Sequence, residues 1–440
     1  MISEQAGCDP PATWGMVQNS NMTNLFQPLI KRLSAFVLFA TLSAAAFAQQ
    51  TVDLSRLVVI GDSLSAGFQN GSLLDLQQPN GFASLIANQV GTTLNLPLIA
   101  SPGVPNVLTL LSPGPPPVIV PAIGMSTGRD DPTLQATDLA VPGANVQDAL
   151  TTRPTPAFTA ITDLVLGLPG LLGGISRSQV EWAENLAPTT IFLWLGSNDA
   201  LGSILTADPS ILTPVDVFQA AYEEVTNRLA ATGATIVLAN IPDVTVVPYL
   251  TSAENVAAQL GRPLSVVGPL LGIGPGDFVT PDALPLILAR ISNPSLGPLP
   301  SNVVMDAGKV AVVRSAVDSY NQIIANQAQA IGAGLVDIHQ NLTLIQAQGF
   351  MVGGKQLTTD FLGGIFSLDG IHPTNTGYGI VANAFIDVMN QTFGTAIPFV
   401  SLEQIQQTDP LVPQDAARSA STRGHISHET VQALRSVMLH

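Results

Sequence analysis

The sequence predicts an α/β fold on a parallel sheet, and three observations carry that expectation. Short apolar runs alternate with segments of helical period. The connections between those runs are far longer than hairpins, so successive strands are joined by crossovers, which in a parallel sheet are right-handed. Several runs stop abruptly in small and polar residues: Gly61-Asp62-Ser63, Pro142-Gly143 and Gly196-Ser197-Asn198-Asp199. All strand C-termini of a parallel sheet lie along one edge, where open α/β proteins place their ligands.

Val58-Val59-Ile60 reads as a buried strand that delivers Ser63 to that edge, and the small residues after it permit a tight turn. Asn80–Gly91 predicts a helix closed by its glycine. Residues 95–132 are crowded with Pro, Leu, Val and Gly, and prolines from Pro102 to Pro117 break any long element; an excursion forming a wall beside the site is expected. Thr137–Val141 is a short strand and Val146–Leu150 the start of a helix. Ser178–Leu186 is a helix stopped before Pro188, and Thr189–Leu195 is the strongest strand. The amphipathic segment Val215–Thr232 is a helix, followed by the strand Ala234–Ala239. Residues 248–300 are again rich in Pro, Gly and Leu, and read as an insertion covering an apolar pocket, not as a separate domain. Val303–Ile331 forms one long helix or two, Gly334–Ile338 the last strand, and Asn375–Met389 the last helix. Beyond Phe399 the pattern fades into a polar tail, 399–440, with three of the five histidines. The folded domain is thus 49–398.

Composition narrows the function. Hydrophobic residues make up 46% and charged residues 10%, with 34 prolines, which suits a large aliphatic core with Pro-rich loops and not disorder. The net charge of −16 argues against a nucleic-acid partner, whose phosphates would be repelled. Lys31-Arg32, the apolar run Leu33–Ala45 and Ala46-Phe47-Ala48 together read as a secretory signal peptide cleaved near Ala48. The run is short for a membrane span, so a secreted or periplasmic protein with no stable transmembrane anchor is expected. Residues 1–21 precede this leader, and a start at Met16 or Met22 would give it a conventional length. The single cysteine, Cys8, lies upstream of the cleavage point, so a mature chain has no disulfide, cysteine nucleophile or thiolate metal site.

The polar clusters suit acyl transfer. A serine hydroxyl attacks poorly until a base takes its proton, and histidine is the best base near neutral pH. Before the tail the chain offers His339 and His372. His372 follows Asp369 by three residues, so one loop could present both, the carboxylate fixing the imidazole. The N–H groups of Ser63 and Gly143 and the Asn198 amide could hold a developing oxyanion. No G-x-S-x-G elbow surrounds Ser63, so the α/β-hydrolase fold is not supported. Each residue also has a plainer reading. Asp62 or Ser63 could cap a helix, Gly143 could serve only its turn, Asn198-Asp199 could be a cap pair, and Asp369 with His372-Pro373 a loop before a helix. His339 reads as structural, and Tyr320-Asn321 as packing with a surface hydrogen bond.

Together these residues resemble the SGNH hydrolases, the GDSL esterase/lipase family. Gly61-Asp62-Ser63-Leu64 matches the block of the nucleophile, Gly143 the second-block glycine, Gly196 to Asp199 the block whose asparagine serves the oxyanion hole, and Asp369 to Pro373 the last block. The resemblance spans about Leu57 to Asn390. It implies a flavodoxin-like three-layer α/β/α sandwich with about five parallel strands, the SGNH hydrolase fold, and no metal or organic cofactor. It implies a catalytic set Ser63, Asp369 and His372 with an oxyanion hole of Ser63, Gly143 and Asn198. The apolar excursions favour a lipid-type or other apolar acyl ester over the family's alternatives, carbohydrate deacetylation or acyl transfer. A secreted binding module that keeps the fold without the chemistry is the rival from another class.

Overall fold

The computed structural model describes residues 52–114, 117–158, 160–412, 432 and 435–438. The leader read at residues 1–48, Cys8 and the three tail histidines lie outside them. Thr51–His440 is one compact unit.

Four parallel strands form its centre: β1 (Leu57–Gly61), β2 (Thr190–Trp194), β3 (Thr235–Ala239) and β4 (Gly334–Val336), side by side in that order. Register runs from Leu57 opposite Thr190 to Gly61 opposite Trp194. The sheet therefore has four strands where about five are expected. The missing one is Thr137–Val141, which lies along the free edge of β1 but pairs only as a bridge between Val59 and Asp138. Three backbone bonds hold it there: the Val59 N–H donates to Thr137 at 2.9 Å, and the Leu139 and Val141 N–H groups donate to Val59 and Gly61 at 2.9 and 3.1 Å. The turn at Pro142-Gly143 ends the pairing before a ladder develops. The chain thus leaves β1 to one side and returns to the other, so the C-terminal end of β1 is the switch point of the sheet, where a crevice opens.

Every residue of β1, β2 and β3 is buried, as continuous apolar runs in a sheet covered on both faces require. On one face Phe192 and Trp194 of β2 meet Phe82, from the helix Phe82–Val90, and Phe385, from the helix Asn375–Phe393; Phe82 and Phe385 stack at 4.4 Å between centroids. The other face carries Val146–Thr151, Gln179–Leu186, Val215–Ala230 and Ala307–Ile331, with Phe218 stacked on Tyr320 at 4.2 Å. Cutting such a ring back to alanine costs about 3–5 kcal/mol. Gly61 closes β1 because a Cβ there would stand 2.2 Å from Ser65 Oγ and 2.9 Å from the Trp194 carbonyl.

The excursions have structure of their own. Leu108–Ser112 and Val118–Pro121 make an antiparallel hairpin within 95–132. The 248–300 insertion holds the helices Ala253–Gln259, Leu264–Leu271 and Ala283–Ser292, with short strands at Thr251–Ser252 and Phe278–Val279, the latter paired to Val304–Met305. These elements enclose a small second hydrophobic core around Val267, Leu271 and Ile287. The region read as a polar tail begins with a helix, Leu402–Thr408, packed on Asn375–Phe393, and Val412 is buried. Among the described residues no helix is long and apolar enough to cross a membrane.

Candidate active site

β1 ends at Gly61, and the chain turns at once into Asp62 and Ser63. The Ser65 and Ala66 N–H groups close this turn on the Asp62 carbonyl. Asp62 is fully buried: one carboxyl oxygen accepts the Leu64 N–H at 2.9 Å, the other has no partner among the described residues, and burial pushes the group up to about 7.

The loop 367–373 brings its two polar residues to the same point. His372 Nε2 lies 2.8 Å from Ser63 Oγ, and its Nδ1 lies 3.0 Å from Asp369 Oδ2. All three residues are buried. Asp369 Oδ1 also accepts the Ile371 and His372 N–H groups at 2.8 Å, and Oδ2 accepts the Gly71 N–H at 2.7 Å. Four donors thus converge on one carboxylate. Burial alone would raise Asp369; the facing imidazole, with the His372 and Ile371 N–H groups, outweighs it and holds the carboxyl below its ordinary range. An ionised carboxylate can only accept, so Nδ1 carries the imidazole proton and Nε2 is left to accept from the serine hydroxyl. Phe68 packs its ring 4.7 Å from that of His372, shielding the pair from water.

The donors expected at an oxyanion site sit nearby. Gly143 has φ +86°, a conformation that favours glycine, and among the described residues neither its N–H nor that of Ser63 has a protein partner. Asn198 begins the helix Asn198–Thr206, with Ser197 as its cap, so the cap-pair reading is off by one residue. Asn198 Nδ2 donates to the Ala144 carbonyl at 3.0 Å, which fixes the amide beside the Gly143 turn and leaves its second hydrogen unused. Asp199 Oδ2 accepts the Val146 N–H at 3.1 Å and ties the same turn to the helix. Burial raises Asp199 to about 6.

Sequence reading missed the clasp made by residues 69–71. Gln69 Nε2 donates to the Pro373 carbonyl at 3.1 Å, Asn70 Oδ1 accepts the Leu368 N–H at 3.0 Å, and Ser367 Oγ accepts the Asn70 N–H at 3.0 Å. Asn70-Gly71, both at positive φ, is the turn dipeptide that could have revealed it. His339 is half-buried near the start of the helix Ile338–Gln348, which begins at the last residue of the expected strand Gly334–Ile338; its ring Nδ1 lies 3.1 Å from the Ile241 carbonyl, a structural role. Tyr320 packs as expected, but Asn321 makes no surface bond. It holds both the N–H and the carbonyl of Ile241, at 2.8 Å each.

A pocket of about 880 Å³ of empty space, its mouth included, opens beside the triad. Ser63, Asn198 and His372 stand at its polar end, and Leu201, Val244, Ile345, Phe366, Ile380 and Val381 are among its apolar walls. Neither excursion contributes to this lining, contrary to expectation. The walls come from the turn after β3, from the helices Asn198–Thr206, Ile338–Gln348 and Asn375–Phe393, and from residues 365–373. Among the described residues no group of three or more His, Cys, Asp or Glu side chains is placed to hold a metal ion.

The family model described as GDSL-like lipase/acylhydrolase matches residues 57–385. No curated protein matches the sequence. Similar solved structures include an alpha/beta hydrolase enzyme from the metagenome of Lake Arreo, 15% identical, covering 78% of this chain and 98% of that one at a TM-score of 0.35. Others are a psychrotrophic esterase from Pseudoalteromonas sp. (13% identity, 78% and 100% coverage, TM-score 0.33) and a putative lipolytic G-D-S-L protein from Desulfitobacterium hafniense (10%, 76% and 99%, TM-score 0.33).

Proposed function

We propose that this chain, which belongs to the GDSL-like lipase/acylhydrolase family and is an ester-hydrolysing enzyme, cleaves carboxylic esters of apolar acyl groups through an acyl-enzyme on Ser63. The observation that carries this reading is the continuous relay from Asp369 through His372 to Ser63, at 3.0 and 2.8 Å, opening on an apolar pocket.

His372 Nε2 takes the hydroxyl proton as Ser63 Oγ bonds to the acyl carbon. The carbonyl oxygen becomes an oxyanion, held by the N–H groups of Ser63 and Gly143 and by Asn198 Nδ2, each donor stabilising the transition state by about 3–4 kcal/mol. The C–O bond to the alcohol then breaks, and the alcohol leaves with the proton from His372. Water repeats the sequence on the acyl-enzyme: His372 takes a proton from it, the hydroxyl bonds to the acyl carbon, and Ser63 Oγ departs with the proton. Asp369 keeps the imidazole in the tautomer both halves need. The acyl chain lies among Leu201, Val244, Ile345 and Phe366. The leader at residues 31–48 supports export, so the substrate is met outside the cytoplasm as a lipid or other apolar ester.

Hydrolysis of p-nitrophenyl esters from acetyl to palmitoyl, with Ser63→Ala alongside, tests the reading. Activity rising with chain length and absent from the variant is the expected result. Activity confined to acetyl contradicts the apolar acyl site, and activity surviving in Ser63→Ala contradicts the acyl-enzyme.

A further inference from the structure

The pocket is lined at its polar end by Ser63. The serine also meets a short segment far along the chain, residues 435–438. Residues 435–438 are helical, and Val437 and Met438 are buried in the main hydrophobic core, each 5% exposed. Met438 Sδ stands 3.9 Å from Ser63 Oγ. Met438 is not among the residues lining the acyl pocket. Arg435 fixes the segment from behind: its guanidinium pairs with Asp282 of the insertion at 2.6 Å and donates to the Leu205 carbonyl.

An ester under attack straddles the nucleophile. Its acyl carbon must come within about 3–3.5 Å of Oγ, with the acyl chain on one side and the alcohol on the other. The empty pocket can take the acyl chain, and the Met438 thioether, outside that lining, stands 3.9 Å from Oγ. Ser63 is left 3% exposed.

We infer that residues 435–438 are an intramolecular plug. They occupy the alcohol side of the catalytic serine, and substrate gains Ser63 only when Met438 withdraws. The inference rests on the acyl-enzyme reading of Ser63. It also gives the insertion a task that its absence from the pocket lining leaves open: Asp282 is the post to which the plug is tied. A thioether suits this task, because Met is flexible, fills an irregular apolar gap and is only a weak acceptor for the hydroxyl it covers.

Charge exchange tests the plug in the full-length chain. Arg435→Asp breaks the tie, Asp282→Arg breaks it from the other side, and the double variant restores an opposite pair. The readouts are the second-order rate of Ser63 labelling by a fluorophosphonate and kcat/KM for p-nitrophenyl acetate. Each single variant is expected to raise both by about fivefold or more, and the double variant to return them toward wild type, the coupling expected of a direct pair. Met438→Ala, which leaves the ion pair intact, is expected to raise the labelling rate as well, and it decides the matter if a charge variant fails to fold. Rates unchanged or lowered in folded single variants and in Met438→Ala overturn the plug. Ser63→Ala in each background separates the two readings: labelling that survives it removes the acyl-enzyme, whereas labelling lost with Ser63 but indifferent to Arg435 and Met438 removes the plug alone.

Discussion

The strand-end edge of the central sheet and the lobe built by residues 248–304 solve opposite problems. At the edge, polar side chains are buried and many are hydrogen-bonded: Asp369 alone accepts four bonds, while Ser65 Oγ and Ser197 Oγ have no partner among the described residues. The lobe is a small apolar cluster of short helices and two-residue strands, with Val267, Leu271 and Ile287 at its centre and none of its residues in the wall of the acyl pocket. The triad and the Asn198 contact at the edge are specified by directional bonds, which few other side chains can make. The lobe is specified by volume and hydrophobicity, which many sequences supply. Substitutions at the edge are therefore expected to act on turnover, and those in the lobe on stability.

The largest effect belongs to His372→Ala, expected to lower kcat by on the order of 10⁴ or more while leaving the melting temperature close to wild type. Steady-state kinetics with a p-nitrophenyl ester, beside a thermal melt, checks both halves. A fall in kcat that merely tracks unfolding would erase the contrast between edge and lobe.

That contrast also explains what could be read in the sequence. Gly61-Asp62-Ser63, Gly196 to Asp199 and Asp369 to His372 were legible because each is short, local and placed at a strand end or before a helix, and the topology of a parallel sheet does the rest. The clasp at Gln69, Asn70 and Gly71 was not, because its meaning lies in contacts about 300 residues away in sequence. The fifth strand was overread: Thr137–Val141 has the composition of a strand, but its pairing stops at the Pro142-Gly143 turn. The excursions were misplaced for a related reason. Leu, Val and Pro say that a segment will bury surface, not against what, and the pocket wall is instead supplied by Ile338–Gln348 and Asn375–Phe393. The end of the chain looked polar on average, yet Val437 and Met438 lie in the core.

Next in size is Asn198→Ala, expected to cost about 10²–10³ in kcat with little change in KM, since the amide is needed only when the oxyanion forms. A rise in KM at constant kcat would instead make Asn198 a ground-state contact. In the lobe, Ile287→Ala should cost about 2–5 kcal/mol of stability while kcat per folded molecule stays within about twofold. Chemical denaturation with active-site titration measures the two separately, and a tenfold loss of kcat in the folded fraction would join the lobe to the chemistry.

The smallest effect concerns pH. Burial raises Asp138 to about 7, so below neutrality the folded state holds a proton that the unfolded state releases near pH 4. That contribution is present in full below the unfolded value and is lost as pH rises through 7. Asp138→Asn keeps an oxygen for the Ala140 N–H, which now donates to Asp138 Oδ1 at 3.1 Å, and removes the buried charge. It should stabilise the protein by about 1–3 kcal/mol at pH 8 and have almost no effect at pH 4. Equal shifts at both pH values would mean that the carboxyl is ionised throughout.

The most direct test of the account is where a fluorophosphonate attaches. Mass spectrometry of the labelled, digested protein should place one phosphonyl group on Ser63, and the adduct should vanish in Ser63→Ala and form far more slowly in His372→Ala. An adduct on any other residue, or one that forms on Ser63 at the same rate without His372, would contradict the claim that this histidine activates this serine.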